Sequence, residues 1–340
     1  MLDKARLKNM LGVYLTGANL KTTVVGNYPK ISTDKSVPNL RNSLNAWEQK
    51  KLTSAQLEQV YQQTIKRTLK EQIEAGIDVV TDGQIRWDDL VTPLAKNIDG
   101  FEIGGLIRFF NNNVYYRRPV VKSKLSFRNY STVEQFKFAQ ANSSKPVKIA
   151  LPGPFTFAQL SLDEHYGNLE ELVLDLAEML HQEVVGLEKA GCLYIQLDEP
   201  SLCFHPDQTD LALRAIRTVF EGVEVKRTLF FYFGKVEQFL LKVAQSEIDV
   251  VGLDLVSHKE NLEAVLSNAW NSKELILGCF DARNTKLERE ENILKMVDKV
   301  SQQVSADKIT LSTSCGLEFL PHESALKKLQ LLSQIARKIN

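Results

Sequence analysis

The chain alternates between short, almost wholly apolar runs and longer segments whose apolar residues recur at helical spacing among Lys, Glu and Gln. The runs read "KTTVVG" (21–26), "IDVVTDG" (77–83), "VKIALPG" (147–153), "LYIQLDEP" (193–200), "TLFFYFG" (228–234), "VVGLDLVS" (250–257), "LILGCFD" (275–281) and "ITLSTSCG" (309–316). Strands with one wet face would alternate apolar and polar positions. These do not, which predicts parallel strands covered on both sides, with the helical segments as right-handed crossovers. Eight such units predict an α/β fold, a (β/α)8 TIM barrel occupying residues 1–340 as a single domain.

Between the second and third runs the connection is too long for one crossover. Within it, "FEIGGLIRFFNNNVYYRRPVVKSKLSF" alternates, is rich in aromatics and Arg, and carries a turn-forming Asn111, Asn112, Asn113 cluster. This predicts a β-hairpin within an insertion spanning 100–146.

Each run ends in polar, Gly or Pro residues, and in barrel proteins the carboxyl ends of the strands build the site. "QLDEPSL" sets Asp198 beside Glu199, and adjacent residues of an extended chain point to opposite faces. Asp198 is thus either the receptor for an amino group or a structural carboxylate capping the next loop. "VTDGQIRWDDL", with Asp82, Gln84, Arg86 and Trp87, suits either a flat polar ligand or a wet subunit interface. Tyr232, Asp254, Arg283 and Asn284 follow later runs and are expected to face inward with Asp198. His258 lies four residues beyond Asp254, a spacing open to a metal pair or to a solvated loop histidine. Cys315 could be a nucleophile, a metal ligand or a small buried filler, and a nucleophile needs a neighbour that lowers its pKa.

Composition narrows the partners. Lys+Arg 42 balance Asp+Glu 42, so no net field draws nucleic acid or an anionic membrane, and a small molecule or a protein is the expected partner. Cys192, Cys203, Cys279 and Cys315 have no CxxC spacing, which excludes a disulfide framework and a zinc ribbon. No stretch of eighteen apolar residues and no secretory h-region is present, so a soluble, unprocessed cytoplasmic protein is expected.

The ordered set "TTVVGNYP", "AGIDVVTDGQIRWDDLV", "LPGPFTF", "AGCLYIQLDEPSL", "FFYFGKV", "IDVVGLDLVSHKENLEAV", "GCFDARN" and "STSCGLEFLP" resembles the cobalamin-independent methionine synthase family over nearly the whole chain. The resemblance implies methyl transfer from a methylated folate to homocysteine, activated as a zinc-bound thiolate. Many members are two related barrels, of which the C-terminal one holds the metal. That catalytic half carries His-x-Cys on the fifth strand, a Glu after the sixth and a Cys after the eighth. Here those positions are Leu229, Phe231, Asp254 and Cys315. The half's acidic residue after the second strand reads as Gln84, and its His after the seventh reads as Arg283.

"TLFFYFG", "GLDLVSHK", "DARN" and the "FFNNNVYYRRP" hairpin look instead like the metal-free N-terminal half. The resemblance therefore implies a stand-alone barrel of that type, holding no metal and no cofactor of its own and assisting a separate zinc-bearing chain. Asp198, Gln84, Asp254, Tyr232, Arg283 and Asn284 would line the substrate site, with Lys30, Lys35 and Arg41 near a folate polyglutamate tail. Two alternatives stand beside this. One is a complete zinc methyltransferase using Cys315, Asp254 and a further ligand such as His258. The other is a non-enzymatic barrel that binds a small molecule. The methyl carrier could be folate or another donor such as a corrinoid protein.

Overall fold

The computed structural model describes residues 20–32 and 38–339. Its seven-stranded parallel sheet is built from β1 (Lys21–Thr22), β4 (Lys148–Pro152), β6 (Tyr194–Asp198), β7 (Lys226–Phe231), β8 (Val250–Asp254), β9 (Glu274–Phe280) and β10 (Ile309–Thr313). The strand order is β1-β10-β9-β8-β7-β6-β4. Helices alternate with these strands as right-handed crossovers require, and the fold is TIM-barrel-like.

Two compact units are distinguished along the chain: Met1–Ile85 with Ala139–Val147 and Asp249–Asn340, and Arg86–Phe138 with Lys148–Ile248. In the first, Leu275, Leu277, Ile309 and Leu311 of β9 and β10 have no solvent exposure. In the second, β4 pairs with β6 from Lys148↔Tyr194 to Pro152↔Asp198, and β6 pairs with β7 from Tyr194↔Lys226 to Asp198↔Phe230. Ile195, Leu197, Leu229, Phe230 and Phe231 are among its fully buried strand residues.

The second predicted strand, 77–83, is the one that changes. It survives as two isolated parallel bridges, Thr23↔Val79 and Val80↔Val147. The reason lies in the helix Ser54–Ala75, which begins at a Thr53/Gln56 capping box and stops at Gly76 in the left-handed region (φ 92). From that helix Gln72 donates Nε2–H to the Thr81 carbonyl (2.8 Å) and accepts the Thr81 amide on Oε1 (3.0 Å). The backbone groups that would extend the ladder are taken by a buried side chain, so the strand ends at Val80.

The insertion holds the predicted hairpin with wider bounds: β2 (Ile98–Arg108) runs antiparallel to β3 (Tyr115–Phe127), and β5 (Leu162–Asp163) joins β3 in parallel. At its tip Arg108 donates from Nε to the Asn112 carbonyl and from Nη2 to Asn113 Oδ1, both 2.8 Å. The polar Asn cluster is thus tied back to the end of β2. Among the described residues, no helix is long and apolar enough to cross a membrane.

Gln72→Leu keeps the volume but leaves the Thr81 N–H and C=O buried without partners. It should lower stability by about 2–5 kcal/mol, read as a reduced urea midpoint with an unchanged slope.

Candidate substrate-binding residues at the strand ends

In the second unit the chemistry centres on Asp198, the last residue of β6 and 3% exposed. Its Oδ1 accepts from Gln196 Nε2 at 2.6 Å, and its Oδ2 accepts from the Tyr232 hydroxyl at 3.1 Å. Gln196 is two residues back along the strand, so period-two geometry puts both side chains on one face. Its amide oxygen in turn accepts from Lys148 Nζ at 2.7 Å. Lys148, the first residue of β4, is itself buried. Burial lowers its pKa to about 7, against the opposing pull of the Asp198 charge.

Glu199 points the other way and serves the fold. Its carboxylate accepts the amides of Phe155 (2.9 Å) and Thr156 (2.8 Å), at the start of the helix Pro154–Leu160. Burial pushes this carboxyl up to about 7, and the hydrogen bonds from Thr156 and Phe155 act against that rise.

An aromatic row adjoins Tyr232. Its ring meets Phe233 edge-on at 4.6 Å, Phe233 meets Phe110 of the hairpin tip at 5.6 Å, and Phe110 stacks on the half-exposed Phe204 at 5.6 Å. Phe110 (φ 49) and Phe233 (φ 73) both hold left-handed backbone, which costs a non-glycine residue of order 1–3 kcal/mol. The ring packing over-determines both positions and anchors the hairpin tip to the segment that follows β7.

In the first unit Asp254 ends β8 and is buried. Its Oδ1 accepts the amides of Val256 (2.9 Å) and Ser257 (3.0 Å), while Oδ2 accepts the Ser257 hydroxyl. Ser257 Oγ accepts from Arg283 Nη2 at 2.6 Å, so Asp254 and Arg283 are linked through one serine. Asn284 is exposed and its side-chain oxygen accepts the Lys286 amide at 3.0 Å. Gln84 is buried with φ 49, and its own amide donates to Asp82 Oδ1 at 2.9 Å. Gly83 before it (φ 72) has room for no Cβ, since Tyr28 Cβ would lie 2.7 Å away.

Cys315 is buried, and its thiol is raised well above the usual range by burial first, then by the negative charges of Glu318 and Asp254. Such a thiol is no nucleophile in the resting protein. Nearby, Glu318 Oε1 accepts from Asn27 Nδ2 at 3.1 Å, and burial pushes this acid up to about 7. Lys30 is half-buried and favours the Glu318 anion, whereas Arg41 is exposed in the helix Leu40–Glu48. Lys35 lies outside the described residues.

Zinc needs three or four convergent donors. Among the described residues no three His, Cys, Asp or Glu side chains are grouped to hold a metal. Leu229 and Phe231 are apolar and fully buried, and the Asp254 oxygens are occupied by their own loop. This donor set does not fit tetrahedral zinc.

The parallel sheet with alternating helices makes this a TIM-barrel-like α/β protein. The family model described as the catalytic domain of cobalamin-independent synthase matches residues 20–338. A methionine synthase of Saccharolobus solfataricus is 30% identical over 311 residues, covering 91% of this chain and 92% of that one. A methionine synthase of Sulfurisphaera tokodaii is 30% identical over 312 residues, 91% of this chain and 89% of that one. Among solved structures, a B12-independent methionine synthase from Shewanella sp. W3-18-1 in complex with selenomethionine superposes with TM-score 0.80. It is 25% identical, over 94% of this chain and 97% of that one. The chain belongs to the cobalamin-independent methionine synthase family.

Lys148, Gln196 and the Phe110–Phe233–Phe204 row are absent from the residues singled out by sequence. A lysine inside an apolar strand run and the Gln-x-Asp alternation were the available signals. No local pattern announces the aromatic row, whose members lie on three distant segments.

With intact protein at pH 8, iodoacetamide should leave Cys315 unmodified along with Cys192 and Cys279, both raised to about 12 by burial. Mass spectrometry should find all of them alkylated once urea is added; rapid native labelling of Cys315 would contradict the burial argument.

Proposed function

We propose that this chain binds the amino-acid acceptor of a methyl transfer, homocysteine, and works as a metal-free barrel assisting a separate zinc-bearing chain. The observation that carries the reading is Asp198, a buried strand-end carboxylate oriented by Gln196 and Tyr232. An α-ammonium is the complement of such a group, because charge-assisted hydrogen bonds from N⁺–H to carboxylate are about twice as strong as neutral ones. The Shewanella relative was captured with selenomethionine, an amino acid of the same backbone.

In the transfer the acceptor thiol loses its proton, its sulfur forms the new S–CH₃ bond, and the carrier's bond to that methyl breaks with its electron pair left on the carrier, which takes up a proton. Asp198 would hold the amino group, and Tyr232 would fix the carboxylate that holds it. Leu229 and Phe231 offer no lone pair that could activate a thiolate, and Cys315 is protonated at neutral pH, so activation falls to a partner chain. Methylated folate is the donor we favour, with Lys30 and Arg41 as described cations for its tail. Lys35 is a further candidate, and a corrinoid carrier remains the rival donor.

A second reading, a complete stand-alone methyltransferase, is favoured by one observation: the matching family model is that of the catalytic domain and spans residues 20–338. Metal analysis and methionine assays separate the two. Purified alone, the chain should carry no stoichiometric zinc and form no methionine, and adding it to a zinc-bearing homologue should raise that homologue's rate. Methionine formation by the chain alone, with zinc lost in Cys315→Ala, would establish the second reading instead.

Asp198→Asn should weaken homocysteine binding by roughly 10- to 100-fold, and Tyr232→Phe by a few-fold, in isothermal calorimetry.

A further inference from the structure

Lys148 raises a question that methyl transfer does not answer. A lysine is among the residue types least often fully buried, yet Lys148 is 3% exposed on a strand whose five residues are all buried. Its ammonium donates to Gln196 Oε1 at 2.7 Å, and Gln196 Nε2 donates to Asp198 Oδ1 at 2.6 Å. The amide stands between a cation and an anion.

The direction of that amide follows from donor counting. An ammonium has three N–H donors and no acceptor, so the carbonyl end of Gln196 has to face Lys148. The NH₂ end then faces Asp198, and the oxygen it meets has to accept. An NH₂ group facing Asp198 favours the carboxylate over the protonated acid, because a hydrogen bond to the charged form stabilises it. Tyr232 donates to the other oxygen at 3.1 Å, so both carboxylate oxygens are fixed as acceptors. Glu199, the neighbouring acid, is spent on the amides of Phe155 and Thr156 and does not compete for Gln196.

We infer that Lys148 is a positioning residue which, through the locked Gln196 amide, holds Asp198 as a carboxylate dedicated to an α-ammonium group. The site thereby selects zwitterionic amino-acid thiols over thiols of the same length that lack the amino group. This rests on the reading that Asp198 receives the amino group of the acceptor. Replacing Lys148 by methionine frees the amide to turn its oxygen toward Asp198 and removes the counter-charge, so the anion is no longer enforced. Loss should fall on ligands with an ammonium and spare those without one, a split that general damage to the fold would not produce.

The test is calorimetric binding at pH 6, where Lys148 is mostly protonated, of L-homocysteine and of 4-mercaptobutanoate, which differs by the missing amino group, to wild type, Lys148→Met, Gln196→Leu and Asp198→Asn. Wild type should prefer homocysteine by about 100-fold or more, as sites built to hydrogen-bond a polar group do. Lys148→Met and Gln196→Leu should each cut that preference about tenfold, with 4-mercaptobutanoate binding changed less than about twofold. Asp198→Asn should abolish it.

If Asp198→Asn keeps the preference, or wild type binds neither thiol, the amino-group reading fails. If Asp198→Asn abolishes the preference while Lys148→Met retains it in full, the role of Lys148 is overturned and the amino-group reading stands. NMR of wild type labelled at Asp carboxyl carbons and Lys Nζ decides the matter even where a variant fails to fold. At pH 6 it should show Asp198 ionised and Lys148 protonated, and a protonated Asp198 beside a neutral Lys148 would overturn the proposal.

Discussion

A carboxylate placed at the end of a buried parallel strand has lost most of its water and must be given donors by the protein, or it takes up a proton. Asp198 is supplied by Gln196 and Tyr232, and Gln196 is oriented by Lys148. The hydrogen-bond chain runs from the first residue of β4, across β6, to the residue after β7. Its geometry depends on the parallel register that sets Pro152 opposite Asp198 and Asp198 opposite Phe230. A one-residue slip of β6 would send Asp198 to the face that Glu199 occupies and leave a buried ammonium without its amide partner.

Three acids at strand ends are therefore put to three uses. Glu199 organises the first turn of the helix Pro154–Leu160, and Asp254 closes its own loop through Ser257, which also takes the Arg283 guanidinium. The donors described at Asp198 are the side chains of Gln196 and Tyr232. Position at a strand end does not separate these roles. The donors that meet each carboxylate separate them: "DLVS" folds its own amides back on Asp254, whereas Glu199 takes the amides of a distant helix start.

Much of the fold was legible because parallel strands buried on both sides leave an unmistakable apolar run, and because "FFNNNVYYRR" can hardly be anything but a turn between alternating segments. The second strand was overestimated since "IDVVTDG" carries no sign that Gln72, a buried helix residue, will take the backbone groups of Thr81. At the strand ends, residue type and place pointed to Asp198 and Tyr232, which the structure joins by a hydrogen bond. Asn284 looked equivalent on the page, yet its oxygen serves the Lys286 amide next door. Nothing local to "VKIALPG" marks Lys148 as buried, since the amide that receives its ammonium lies forty-eight residues away.

The account stands or falls on what Asp198 holds. A crystal structure of the chain soaked with L-methionine would show this directly. The account predicts the ligand's amino nitrogen within about 3 Å of an Asp198 carboxylate oxygen, with the Lys148–Gln196 and Tyr232 hydrogen bonds kept. Methionine bound with its amino group elsewhere, and Asp198 still facing only Gln196 and Tyr232, would contradict it.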